Sequence, residues 1–312
     1  MAALLCGVFI STSGWAAATA PRVVVSVAPV HALVAGVMAG VGTPELLIPI
    51  GTSPHAFSLR PSQRRAIESA ELLIWVGPSL EPFLRKPAAE LADKIPVIEL
   101  IGQREVSLAP AREAGIFAEA AHADVTPDVG RKHEHGHGVG HGDPHIWLDP
   151  ENATAIVHIV TGYLVRLSPA FEARYTANAQ QLIDRITQLD AQIKVLLADV
   201  RDVPYVVFHD AYQSFERHYD LRPVAAISVS PAIMPGTRRV LAIRRSLKEQ
   251  RVRCVFSEPQ FEPRLLDALT DGLQVRRGVL DPLGGEEVLG ENAWLAMMRG
   301  IATNLHRCLA GL

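Results

Sequence analysis

Residues 22–39, RVVVSVAPVHALVAGVMA, carry the pattern on which the predicted fold rests. The first part, Arg22–Pro29, is rich in valine and is typical of a strand. The second part, His31–Ala39, is a helical stretch. A strand that leads directly into a helix is the repeating unit of a parallel sheet covered by helices. The segment therefore predicts an α/β fold that begins with this strand.

The same unit recurs along the chain in two groups. In the first half, strands are predicted at Glu45–Ile50, Leu72–Val76 and Val97–Leu100, with a helix at Ser62–Ala70. After Pro204 the predicted strands are Tyr205–Phe208, Val224–Val229, Arg253–Phe256 and Val275–Leu280. The predicted helices of this half are Ala211–His218, Thr237–Gln250, Glu262–Thr270 and Asn292–Leu309. This alternation predicts two doubly wound (β/α) lobes.

A long helix is predicted between the two lobes. Asp149 and Pro150 form an N-cap followed by proline at the first helical position, so a helix should run to about Leu167. Ser168 and Pro169 restart it, and apolar residues then recur at helical spacing to about Val200. We expect a rigid helix of about 45 Å. The predicted boundaries are 21–168 for the N-terminal lobe, 169–201 for the linking helix and 202–312 for the C-terminal lobe.

Residues 1–20 resemble a signal peptide. The segment is apolar and small, is too short to span a bilayer, and has A-x-A patterns at Ala16–Ala18 and Ala18–Ala20. No Lys or Arg precedes the apolar run, which departs from the usual signal, and a buried N-terminal segment is the alternative. The sequence predicts export to the periplasm.

The charge balance excludes one large class of function. Lys and Arg number 30 and Asp and Glu number 33, for a net charge of -3. A nucleic-acid-binding protein is expected to carry a basic excess, because the phosphate backbone supplies most of its binding energy. We therefore expect no nucleic-acid partner.

Cysteine usage fits an exported protein. The chain has three cysteines, and cleavage of the signal peptide would remove Cys6. The remaining pair, Cys254 and Cys308, is expected to form a disulfide in an oxidising compartment. The alternative is a pair of buried thiols.

Four short segments place a potential metal ligand just after a strand or in a loop. They are SPHAFSLRP (53–61), DPHIWLDP (143–150), FHDAY (208–212) and LDPLG (280–284). Ligands of open α/β sheets bind outside the carboxyl ends of the strands, so two facing lobes would put His55 and His145 opposite His209 and Asp281. Three imidazoles and one carboxylate suit Zn²⁺. The sequence thus predicts a zinc site in the cleft between the lobes.

The wording of these segments resembles a known family. SPHAFSLRPS, GDPHIWLDP, VVFHDAYQSFERHYDL, CVFSEPQF and GVLDPLG are similar to motifs of the zinc-specific solute-binding proteins of bacterial ABC importers, and the resemblance covers nearly the whole chain after residue 20. It implies that His55, His145 and His209 are metal ligands and that Asp281 ligates directly or through water. It also implies a monomeric, non-enzymatic protein that captures Zn²⁺ and delivers it to a membrane permease.

Three positions bear on how far the resemblance extends. The manganese branch of this family has Glu where this chain has His209, and imidazole suits zinc better than manganese. Some zinc relatives have an acidic residue before the first histidine, where this chain has Pro54. The fourth ligand is then Asp281 or water. Residues 230–235, SPAIMP, replace acidic residues of relatives in a region expected to contact the permease.

A histidine-rich loop is predicted at about 120–143. Its candidate ligands are His133, Glu134, His135, His137 and His141, separated by glycines. Such tracts bind metal with low selectivity, so the loop is predicted to be a secondary site, with His122 as a further candidate. A solvated linker is the alternative. The histidines within predicted helices, which are His31, His158, His218 and His306, are interpreted as structural or surface residues.

Other functions stay open on the sequence alone. A secreted zinc hydrolase also uses three protein ligands and an open position, but no carboxylate of the chain is obviously placed as a general base. A manganese-binding relative, or a protein that buffers metal or mediates adhesion, is a further alternative. The chain has no GxxxxGK[ST] motif, so it is not the ATPase of an importer.

Overall fold

The computed structural model describes residues 19–110, 112, 117, 142–228, 236–260, 264–285 and 290–312. The predicted signal peptide with Cys6, the histidine-rich segment and residues 230–235 lie outside the described residues, apart from Thr19 and Ala20. Within the described ranges, no helix is both long and apolar enough to cross a membrane.

The N-terminal lobe is a parallel four-stranded sheet with the strand order β2-β1-β3-β4. Its elements are β1 (Val23–Val25), α1 (Ala28–Met38), β2 (Glu45–Leu46), α2 (Pro61–Ser69), β3 (Leu72–Trp75), α3 (Arg85–Leu91) and β4 (Val97–Glu99). Strand β2 is shorter than predicted. The Leu47 and Ile48 amides still donate hydrogen bonds to the carbonyls of Val25, the last residue of β1, and of Ser26, which follows it. The next residue, Pro49, has no amide hydrogen and cannot extend the ladder.

Two helices connect the lobes. Helix α4 (Pro150–Leu167) is capped as predicted, with Asp149 Oδ1 accepting a 2.8 Å hydrogen bond from the Glu151 amide. A 3₁₀ turn at Pro169–Phe171 precedes α5 (Glu172–Leu196), which has 25 residues and a length of about 37 Å. Helix α5 packs against α1, α4 and the C-terminal helix of the chain. Of the apolar residues at helical spacing, α5 buries Leu182, Ile186, Leu189 and Ile193.

The C-terminal lobe repeats the first architecture. Its elements are β5 (Tyr205–His209), α6 (Gln213–His218), β6 (Pro223–Ser228), α7 (Thr237–Glu249), β7 (Cys254–Ser257), α8 (Arg264–Thr270), β8 (Arg276–Val279) and α9 (Ala293–Ala310). The sheet is parallel, with the order β6-β5-β7-β8. Two parallel sheets joined by long helices confirm the predicted fold class.

One hydrophobic core runs through both lobes. It includes Val25 of β1, Ile186 of α5, Phe256 of β7 and Trp294 of α9. Trp147 is fully buried in this core, and its Nε1 donates a 2.7 Å hydrogen bond to a carbonyl of the other lobe, that of Pro282. Cores pack at crystal-like density, so sliding one lobe over the other would break many contacts. The geometry favours a local opening of the cleft over a wide hinge motion.

The cysteine pair links the second sheet to this core. Cys254 of β7 and Cys308 of α9 lie at disulfide distance, with their Cα atoms 6.1 Å apart. The pairing predicted from the sequence is therefore present in the structure.

Candidate metal centre

Three histidines converge between the lobes. His55 lies in a 3₁₀ turn (Pro54–Ala56) that follows β2, His145 directly precedes another (Ile146–Leu148), and His209 is the last residue of β5. Their ligand atoms all lie within 4.8 Å of one another, and the Nε2 atoms of His55 and His145 are 3.4 Å apart. Two nitrogens on a tetrahedral Zn²⁺ are about 3.3 Å apart for bonds of 2.0–2.1 Å. The Nε2 atoms of His55 and His145 therefore already have the spacing that zinc requires of two nitrogen ligands.

Asp143 orients His145. The Nδ1 atom of His145 lies 2.7 Å from Asp143 Oδ1, which also accepts a hydrogen bond from the His145 amide, while Ser214 Oγ donates to Asp143 Oδ2. Burial by itself would raise the pKa of Asp143, but the charge of His145 and these hydrogen bonds hold it below its ordinary value. The ionised carboxylate keeps the ring proton on Nδ1 and leaves the Nε2 lone pair free for a metal.

Glu258 lies beside His209, as Asp143 lies beside His145. It follows β7, is 4% exposed, and places Oε2 3.6 Å from His209 Nδ1. Burial raises the pKa of Glu258 to about 8, against the opposing effects of the His145 charge and a hydrogen bond with Tyr212. The carboxyl is therefore mostly protonated at neutral pH in the metal-free protein.

Two of the three converging histidines, His55 and His209, are held neutral. Burial, together with the charges of His145 and His209, lowers the pKa of His55 to about 2. Burial also lowers the pKa of His209 to about 4, although Asp210 and Asp143 oppose the shift. A metal binds to the deprotonated imidazole, so these two rings need not lose a proton first at neutral pH.

Asp281 does not join the three histidines. Among the described residues, the group with metal-binding spacing consists of His55, His145 and His209. Asp281 Oδ1 instead accepts hydrogen bonds from Gln260 Nε2 at 2.9 Å and from the Leu283 amide at 3.0 Å. The role of Asp281 as a ligand stays a prediction.

The site has a small inner cavity and a wider mouth. The inner cavity, about 10 Å³, is lined by the three histidines together with Ser53, Pro54, Glu258, Gln260, Pro282 and Leu283. The mouth, about 390 Å³, reaches His55 and His145 from outside and is also lined by Arg112 and Gly142. The histidine-rich segment lies between these last two residues in the sequence.

Three of the remaining histidines have partners in the protein. His31 Nε2 lies 2.9 Å from the Pro44 carbonyl oxygen, His218 contacts Asp190 at 2.8 Å, and His306 lies 3.2 Å from Asp199. These contacts agree with the structural roles that the sequence predicted. His158 is exposed on α4.

The sequence reasoning missed Asp143 and Glu258 as partners of the ligands. Asp143 lies in DPHIWLDP, a segment selected for His145, and Glu258 lies in CVFSEPQF, a segment selected for its resemblance to the family. Glu258 follows strand β7, as the predicted ligands follow their strands, and this position was the signal available. The orientation of each carboxylate toward a ring nitrogen depends on the tertiary fold.

Comparison with known proteins places the chain in a family. The family model described as ZnuA, zinc-uptake complex component A periplasmic, matches residues 23–308. The high-affinity zinc uptake system protein ZnuA of Brucella suis biovar 1 is 37% identical over 305 residues, which cover 92% of this chain and 91% of that protein. The protein of the same name from Yersinia pestis is 35% identical over 296 residues, with the same coverage.

A solved structure supports the same fold. The crystal structure of a ZnuA superposes with a TM-score of 0.76 at 20% identity and covers 93% of this chain and 99% of the other. This likeness concerns the two-lobed architecture. The family model and the curated relatives each span most of the sequence, and the chain therefore belongs to the family of periplasmic zinc-uptake complex components A.

Proposed function

We propose that this protein captures Zn²⁺ in the periplasm and delivers it to the membrane permease of an ABC zinc importer. The observation that carries the proposal is the convergence of His55, His145 and His209 between the lobes. The named relatives, which are zinc uptake proteins, support the same function. Zinc is here the cargo of the protein.

The donor set favours zinc over manganese. All three converging side chains are imidazoles, which suit Zn²⁺, whereas Mn²⁺ prefers oxygen donors. The carboxyl nearest His209 is that of Glu258, whose pKa of about 8 keeps it mostly uncharged at neutral pH in the metal-free protein. Water or Asp281 would complete the coordination sphere.

The cavity favours capture over hydrolysis. Its volume of about 10 Å³ is far smaller than the roughly 300–1,000 Å³ of typical small-molecule sites. The two nearest carboxyls, Asp143 and Glu258, face ring nitrogens of the ligands, so neither is placed as the general base of a zinc hydrolase. The arrangement suits an ion with its bound water, and we infer that the protein is not an enzyme.

The proposal also includes the location of the protein and the division of its chain into segments. Residues 1–20 would be the signal peptide that directs the chain to the periplasm. Residues 21–168 and 202–312 would form the two lobes, with 169–201 as the linking helix, and the permease would receive zinc from the monomer. His145 and His209 are 3% and 2% exposed, so zinc would enter and leave through the mouth when it opens locally.

A growth experiment tests this function. Deleting the gene should slow growth in medium treated with a chelator, because zinc capture fails when the metal is scarce. Added Zn²⁺ or a plasmid copy of the gene should restore growth, whereas Mn²⁺ or a copy carrying His145→Ala should not. Rescue by Mn²⁺ but not Zn²⁺ would favour the manganese alternative. The host strain should have no second zinc importer. If its deletion strain then grows normally in chelator, the proposed role in zinc uptake is contradicted.

The histidine-rich loop is proposed to be a secondary, weaker metal site. Deleting residues 132–141 should leave one high-affinity Zn²⁺ site and remove additional weak binding. The reason is that a glycine-spaced chain must lose conformational entropy to close around an ion, whereas the cleft histidines are already assembled. Titration of both proteins at pH 7.5 measures the stoichiometry. Loss of the tightest site in the deletion protein would instead make the loop the primary ligand set.

A further inference from the structure

An arginine of the N-terminal lobe crosses the mouth of the cleft to the other lobe. Arg112 Nε donates to both carboxylate oxygens of Asp210, at 2.9 and 3.0 Å. Its Nη2 atom lies 2.5 Å from Asp210 Oδ1 and 2.5 Å from Glu216 Oε2. A fork of this kind fixes the geometry as well as the charge of an ion pair.

The acidic partners are buried. The side chains of Asp210 and Glu216 are 7% and 2% exposed, and that of Arg112 is 22% exposed. Tyr205 donates a hydrogen bond to the second oxygen of Glu216, and the guanidinium lies 4.0 Å from the centre of the Phe117 ring. Arg112 therefore compensates the buried charge of Asp210 and bonds Glu216, whose pKa burial raises to about 7 against the effect of Arg112, at a site where an unpaired charge would be costly.

Two further hydrogen bonds join the lobes at the same place. Gln213 Nε2 donates to the Pro110 carbonyl at 2.8 Å, and Ser214 Oγ donates to Asp143 at 3.2 Å. Both donors lie at the start of α6, and Asp210 directly follows His209. The segment that carries His209 is thus tied to the N-terminal lobe on the side where the cleft opens.

We propose that Arg112 is a positioning residue for zinc capture, which holds Asp210, and with it His209, against the two histidines of the other lobe. A guanidinium has no lone pair to offer a metal, so Arg112 acts only through its partners. The ion pair would stabilise the closed mouth and slow the release of zinc. The inference rests on the proposed function and adds a residue outside the ligand set.

Rates of zinc release test this role. Zinc-loaded wild type, Arg112→Gln and Arg112→Lys are mixed with excess chelator, and the dissociation rate is followed by stopped flow. We expect Arg112→Gln to release zinc at least tenfold faster and Arg112→Lys to fall between the two, because lysine keeps the charge and loses the fork. Arg104→Gln is the matched control, since the Arg104 side chain is 93% exposed and its ion pair within the described part of the chain is with its neighbour Glu105.

Asp210→Asn distinguishes positioning from a general loss of stability. If Arg112 acts through Asp210, the two substitutions break the same contact. The double variant Arg112→Gln/Asp210→Asn should then release zinc no faster than the faster of the two single variants. Arg112→Lys and Asp210→Asn still decide the matter if Arg112→Gln does not fold. Folded variants that unfold more easily but release zinc within twofold of the wild-type rate would overturn the inference. Wild-type protein that fails to bind zinc would contradict the proposed function itself.

Discussion

Replacing His145 with alanine is expected to lower the affinity for Zn²⁺ at least tenfold, which corresponds to about 1.4 kcal/mol of binding free energy. His145 Nε2 already lies 3.4 Å from His55 Nε2, and its Nδ1 is held by Asp143. Alanine removes a nitrogen donor that the fold has oriented and deprives the buried Asp143 of its contact with the imidazole ring. We expect His55→Ala and His209→Ala to have effects of at least the same size, since each supplies one donor of the set.

Titration against a competing chelator measures these affinities. His158→Ala is the matched control, because His158 is exposed on α4 and lies outside the converging group. Its affinity should equal that of the wild type. If the variants of all three cleft histidines bind zinc like the wild type, the assignment of the primary site is wrong.

The convergence of the three histidines could be predicted because it follows from secondary structure. His209 ends strand β5, and His55 follows strand β2, so a sequence that defines the strands also defines the edge at which these residues meet. The N-cap of α4 could also be predicted from the sequence, since Asp149 and Pro150 act within one turn of the helix. In each case the signal is local in the sequence.

The orientation of individual side chains could not be predicted in this way. Asp281 follows its strand as expected, but its carboxylate accepts a hydrogen bond from the Leu283 amide two residues on and is not part of the converging group. Glu258 points toward His209 from a position that the sequence did not single out. Both outcomes depend on short-range turn geometry and on the packing of neighbouring strands.

The ion pair of Arg112 shows the same limit over a longer distance. Its partners Asp210 and Glu216 are 98 and 104 positions away in the sequence, on the other lobe. No periodicity or motif connects residues at such a separation. Only the arrangement of the two lobes brings these charges together.

Removing the disulfide is expected to destabilise the protein strongly while leaving zinc binding nearly unchanged. Cys254 and Cys308 are 54 positions apart, and closing a loop of this size in the unfolded chain contributes about 4 kcal/mol in the chain-entropy model. The bridge joins β7, which pairs with the His209 strand, to α9 of the shared core. Neither cysteine lines the metal cavity. The zinc affinity of the folded double variant should therefore stay within a few-fold of the wild type.

Urea unfolding of the zinc-free protein measures this effect in Cys254→Ala/Cys308→Ala. Alanine is preferred to serine because both positions are buried, and a buried hydroxyl without a partner would add its own penalty. Wild-type protein kept reduced is the control, since it loses the cross-link but keeps both sulfur atoms in place. A lower midpoint in the reduced protein isolates the contribution of the bridge, and any further decrease in the alanine variant reports the lost packing. If oxidised, reduced and alanine proteins all unfold at the same urea concentration, the cross-link does not stabilise this fold.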